Sequence, residues 1–131
     1  TPIYTSKNSN FAITQLGTTG DNKLNRIIIE KLTNYKDANA SKQLILTINT
    51  SLNKEVSSKD SKGNPKTYRI NLKSNIVITD SKGNETNKLF IKSIDYNNKN
   101  NKSDLKKLEN ETSKNLAEKI AEEIVGYLQS I

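Results

Sequence analysis

Between Lys42 and Tyr96 the chain alternates apolar and polar residues in three stretches, roughly Lys42–Val56, Thr67–Thr79 and Asn87–Tyr96. A period of two places successive side chains on opposite sides of a β-strand, so each stretch reads as a strand with one buried face. In the first, Leu44, Leu46 and Ile48 share a face and Gln43, Thr47 and Asn49 the other, with Ile45 as an exception. The second sends Tyr68, Ile70, Leu72, Ile76 and Ile78 one way and Arg69, Asn71, Lys73, Asn75 and Val77 the other. The third is ambiguous, because Leu89 and Ile91 oppose Phe90, Ile94 and Tyr96; a bulge or burial on both sides would account for it.

The joints between these stretches are the same five residues used twice, Asp60-Ser61-Lys62-Gly63-Asn64 and Asp80-Ser81-Lys82-Gly83-Asn84. Asp and Ser bond their own backbone at the start of a turn, Gly accepts positive φ, and Asn tolerates the left-handed region. Both runs are therefore hairpin connections, and the strands form an antiparallel meander. A calcium loop is a poor reading of them. They lack alternating acids and a distal bidentate Glu, and Lys sits at the centre of each.

Helical spacing flanks the meander on both sides. Leu24, Ile27, Ile28, Leu32 and Tyr35 make one apolar stripe over about Asn22–Tyr35, with Asp21 as N-cap. Before it, Phe11, Ile13 and Leu16 could add an edge strand, which Gly17-Thr18-Thr19-Gly20-Asp21 breaks. After the meander, Ser103 or Asp104 caps a long helix. Its apolar ladder of Leu105, Leu108, Leu116, Ala117, Ile120, Ala121, Ile124, Val125, Leu128 and Ile131 covers about 28 residues, or about 40 Å. The predicted fold is α+β, in helix-strands-helix order: two helices on one face of an antiparallel sheet of three to four strands. The other face, carrying Arg69, Lys73 and Lys92, is left open.

With 131 residues the chain is expected to form a single domain spanning residues 1–131. The net charge of +7 comes almost wholly from lysine, since Arg26 and Arg69 are the only arginines. Lysine excess alone is weak support for a polyanion partner, and few aromatics suit base stacking, so a basic nucleic-acid-binding module remains an alternative rather than the main reading. Cys, His, Met and Trp are absent. This excludes disulfides, thiolate or imidazole metal sites and Ser-His relays, and the acids lie singly in turns or on helix surfaces. The expectation is a non-enzyme with no cofactor and no metal. No apolar run approaches the roughly 20 residues that span a bilayer. The start at Thr1 without Met suggests a processed or truncated chain.

Three local signatures, in this element order, resemble the lipopolysaccharide-assembly lipoprotein family LptE. Thr1-Pro2-Ile3-Tyr4 is similar to the segment that follows the family's acylated cysteine. Tyr68-Arg69-Ile70-Asn71-Leu72 through Ile78-Thr79-Asp80 is similar to its second strand, and Leu116-Ala117-Glu118-Lys119-Ile120-Ala121-Glu122-Glu123-Ile124 to its terminal helix. The lipidated cysteine is missing, so the resemblance implies a chain cut just after it. It further implies an outer-membrane lipoprotein facing the periplasm, lipid-anchored upstream of Thr1, that plugs the barrel of LptD and helps deliver lipopolysaccharide to the cell surface. Arg69, Lys73 and Lys92 are then the candidate contacts to lipopolysaccharide phosphates or acidic barrel walls, although lysines that merely deter edge pairing would look the same. Another small periplasmic lipoprotein of a lipid-transport system is the nearest rival.

Overall fold

The computed structural model of the chain describes residues 11–35 and 40–131; the Thr1–Tyr4 signature lies outside them. The elements run β1 (Phe11–Gly20), α1 (Asn22–Leu32), β2 (Lys42–Lys59), β3 (Pro65–Thr79), β4 (Glu85–Asn97) and α2 (Lys102–Ser130). They form a four-stranded sheet in sequence order, with β2, β3 and β4 antiparallel.

The expected order helix-strands-helix is corrected at its start, and the sheet is mixed rather than a pure meander. The segment from Phe11 does form an edge strand, but it runs through Gly17 and Thr19 to Gly20 and pairs parallel with β2, from Phe11 opposite Lys42 to Gly20 opposite Thr50. A helix between neighbouring strands returns the chain to the starting end, so the second strand must run parallel to the first. The register slips once, between Ile13 and Gln15.

Gly20 is what permits β1 to end against β2. Its φ is +91°, and a Cβ placed there would stand 2.1 Å from the Thr50 carbonyl oxygen. Asp21 follows immediately: its backbone N–H donates to that same carbonyl at 2.8 Å, and its carboxylate accepts from the Leu24 N–H at 2.9 Å, capping α1 as the sequence predicts. Buried Asn25 donates from Nδ2 to the Thr19 carbonyl at 2.8 Å, tying the first helical turn to the strand it has just left. The helix ends at Leu32, short of Tyr35, whose ring instead stacks on Phe11 at 4.9 Å.

Both Asp-Ser-Lys-Gly-Asn runs are hairpin turns of one geometry. In each, the Asp Oδ1 accepts from the backbone N–H groups of the Lys and the Asn at 2.9 Å, and Gly63 and Gly83 take φ of +84° and +85°. The carboxyl of Asp80 is held below its usual range, first by the backbone donor of Asn84.

Period-two alternation then sorts the residues as the sequence predicts for β2 and β3. Leu44, Leu46, Ile48, Ile70, Leu72, Ile76 and Ile78 are buried in one cluster with Leu24, Ile28 and Leu32 of α1 and Leu116, Ile120, Ile124 and Leu128 of α2. Both helices therefore lie on one side of the sheet. The long helix α2 is capped by Asn101, whose Oδ1 accepts from the N–H groups of Ser103 and Asp104, two and three residues before the expected caps Ser103 and Asp104. Ala117 and Ala121 are fully buried, which brings the helix close to the strands. The ambiguity of β4 resolves without a bulge: its pairing with β3 is continuous from Thr67 opposite Asn97 to Thr79 opposite Glu85. Phe90 and Tyr96 face the helices, while Leu89 and Ile91 stay about half exposed on the other side. No helix among the described residues is long and apolar enough to cross a membrane.

Candidate partner interface

Over β2, β3 and β4 neither helix packs on the second sheet face, although at its β1 end Ala12, opposite Gln43, is buried. Read across β2, β3 and β4, its rows are Ile45, Thr79 and Glu85; Thr47, Val77 and Asn87; Asn49, Asn75 and Leu89; Ser51, Lys73 and Ile91; Asn53, Asn71 and Ser93; Glu55, Arg69 and Asp95. Amides and hydroxyls dominate. Ile45, Val77, Leu89 and Ile91 step diagonally through them from β2 to the β4 edge, each within reach of the next on a pleated sheet.

The expected basic strip is not what this face carries. Over those rows two bases, Arg69 and Lys73, stand against three acids, Glu55, Glu85 and Asp95. Arg69 is engaged on both flanks: its Nε donates to Asp95 Oδ1 at 2.7 Å and its Nη2 to Oδ2 at 3.3 Å, and Nη1 lies 3.7 Å from Glu55 Oε1. The hydrogen bond from Asp95 raises the guanidinium's pKa further above its ordinary value. Lys73, between Ser51 and Ile91, has no acidic partner among the described residues.

Lys92 is on the opposite side. It pairs across the sheet with Leu72, a core residue, and its ammonium lies 2.5 Å from Glu123 Oε2 on α2. The correction has a simple cause, because Lys92 shares parity with Phe90, Ile94 and Tyr96, and those face the helices.

A second polar cluster, absent from the sequence reading, sits at the far end of the helix-bearing side. Glu109 of α2 receives Lys54 Nζ at 2.7 Å and the Tyr96 hydroxyl at 2.5 Å on one oxygen. Lys54 also stands 4.3 Å over the Tyr68 ring, which stacks on Tyr96 at 5.7 Å. Partial burial pushes the Glu109 carboxyl up, but the donors Lys54 and Tyr96 outweigh it and hold the group below its usual range. Burial, and then the hydrogen bond to Glu109, push the Tyr96 hydroxyl well above the usual phenol range. The cluster fixes the first half of α2 to β2 and β4. Its groups are mutually satisfied, which fits a structural joint and not a reactive centre. Among the described residues no group of acids, His or Cys is placed to hold a metal.

A family model described as LptE, lipopolysaccharide-assembly, matches residues 3–128. The chain belongs to this family. Its fold is also that of solved lipoproteins. The rare lipoprotein B of Shewanella oneidensis is 17% identical, with a TM-score of 0.69 over 89% of this chain and 95% of that one. A minor lipoprotein of Acinetobacter baumannii is 13% identical, with a TM-score of 0.68 over 91% and 90%. No curated protein matches the chain. At such identities the LptE fold is shared while most side chains are not, so the open face must be read from this chain's own residues.

Proposed function

We propose that this LptE-family chain acts without catalysis, as the lipoprotein that seats inside the outer-membrane barrel LptD and assists the passage of lipopolysaccharide to the cell surface. Membrane attachment comes from a lipid anchor upstream of Thr1, which places the domain, residues 1–131 taken as one unit, at the periplasmic face of the outer membrane. The observation that carries the reading is the uncovered, nearly charge-balanced sheet face. The lumen of a large outer-membrane barrel is polar and wet, and an array of Asn, Ser and Thr with little net charge meets such a wall through hydrogen bonds.

Arg69 and Lys73 have different parts in this reading. Arg69 is committed to two carboxylates and orients them as much as it offers charge. Lys73 is the base available to an acidic wall residue or a lipid A phosphate. Lys92, held by Glu123, belongs to the helix joint.

The test is co-expression with the barrel. The chain is expected to co-purify with LptD from detergent-solubilised outer membranes, and the Arg69→Glu, Lys73→Glu variant to do so poorly while remaining folded. Recovery of the wild-type chain without any barrel overturns the plug reading and favours another lipid-transport lipoprotein. Lipopolysaccharide binding that is unchanged in Lys73→Glu removes Lys73 as a phosphate contact.

A further inference from the structure

The parallel ladder between β1 and β2 stops at Gly20 opposite Thr50, yet β2 continues for another nine residues to Lys59. From Ser51 onward no described strand pairs with that edge of β2, so its outward backbone N–H and C=O groups lack a ladder partner in the described residues. Beside the vacated position, on the helix-bearing side, lies an open cleft of about 320 Å³. Its apolar wall is Leu24, Ile27 and Leu52, and Asn110, Ser113 and Lys114 of α2 form the opposite side. Leu52 and Val56, although they point to the helix side, are 39% and 41% exposed. Their inward-facing counterparts Leu46 and Ile48, which do have β1 alongside, are fully buried.

We infer that this is an empty strand position, and that an extended segment of another polypeptide completes it. The incoming strand would continue the established β1–β2 interface past Gly20, drawing main-chain hydrogen bonds from Ser51–Val56. A side chain paired beside Leu52 points into the cleft, because residues opposite one another in a ladder share a face. That side chain is apolar. Charge selects its neighbours. Lys23 and Lys114 on the rim are offset by Asp21 and Glu111, so it is the chain's net charge of +7 that favours an acidic flanking residue.

The inference goes beyond the plug reading and does not depend on it. A closed barrel wall has no unpaired edge to offer, so the strand must come from a loop or terminus. The plug reading concerns the opposite face.

The experiment uses a synthetic peptide of about ten residues alternating Val and Glu, the length of an ordinary strand, with a proline-interrupted peptide of the same composition as control. Amide hydrogen exchange and NMR shifts of the whole chain are followed during titration. The alternating peptide is expected to protect amides within Ser51–Val56 and to shift Leu24, Ile27 and Leu52; the control should do neither. Leu52→Lys should weaken binding about tenfold, the scale of one or two cross-strand contacts. Leu89→Lys, on the other face and the far edge, should leave it unchanged. Equal binding of the interrupted peptide, or protection at β4 in place of β2, overturns the inference. So does a response to dodecyl maltoside that shifts the same side chains while the peptide gives no amide protection, because the cleft would then be a site for acyl chains.

Discussion

Lys92 Nζ lies 2.5 Å from Glu123 Oε2, joining the outermost strand of the sheet to α2. Both side chains keep more than a third of their surface in water, and exposed pairs of this kind contribute at most about 1 kcal/mol. Lys92→Ala is therefore expected to lower the urea midpoint only slightly. Lys92→Glu should cost more, by setting like charges together, and Lys92→Glu with Glu123→Lys should recover most of the loss. A double-mutant cycle measures this directly. A loss above about 2 kcal/mol for Lys92→Ala would mean that the lysine stem, and not the ion pair, holds the edge.

Glu109 supplies the pH dependence. Its folded-state pKa is depressed by Lys54 and Tyr96 against the opposing effect of partial burial. The unfolded carboxyl thus binds a proton at higher pH than the folded one, so the stabilisation is fully present above the ordinary value of 4.5 and is lost as pH falls through the folded-state pKa beneath it. Glu109→Gln should destabilise by about 1 kcal/mol at neutral pH, and the gap between variant and wild type should close as the pH falls below the ordinary carboxyl value of 4.5. Chemical denaturation on both sides of that value is the measurement, and a gap that widens in acid contradicts the assignment.

At Gly20, positive φ and a Cβ contact of 2.1 Å with the Thr50 carbonyl act together. Gly20→Ala must either move β1 off β2 or open the start of α1. A cost of about 2–3 kcal/mol is expected, seen as a melting point lowered by about 10 °C. The same change at Gly17, where a Cβ meets nothing within 4 Å and φ is not positive, should be mild.

Gly126 behaves oppositely. It lies inside α2, is exposed, and has open space where a Cβ would stand. Gly126→Ala should stabilise by about 1 kcal/mol through helix propensity alone, again read from the denaturation midpoint. No structural reason for the glycine is visible, and an alanine variant that loses stability would show that one exists.

The sequence by itself determined the elements whose signals are local. Two copies of Asp-Ser-Lys-Gly-Asn dictate their turns through side-chain bonds spanning at most four residues. Alternation in β2 and β3 decides which residues are buried, since a one-residue slip would expose the whole set. The ladder from Leu116 to Leu128 likewise made α2 an element that must lie along an apolar surface. Tertiary structure alone decided what depends on distant partners. The extent of β1 was hidden because Gly17, Thr18, Thr19 and Gly20 carry no apolar alternation, and its direction follows only from the crossover through α1. Lys92 could be put on either side because β4 carries apolar residues on both, and only contact with α2 selects Phe90 over Leu89. Arg69 reads as a free base in the sequence; its partner Asp95 is 26 residues away and meets it only once β3 and β4 pair. The open strand position beside Leu52 has no sequence signal, because it is made by where one strand stops and its neighbour does not.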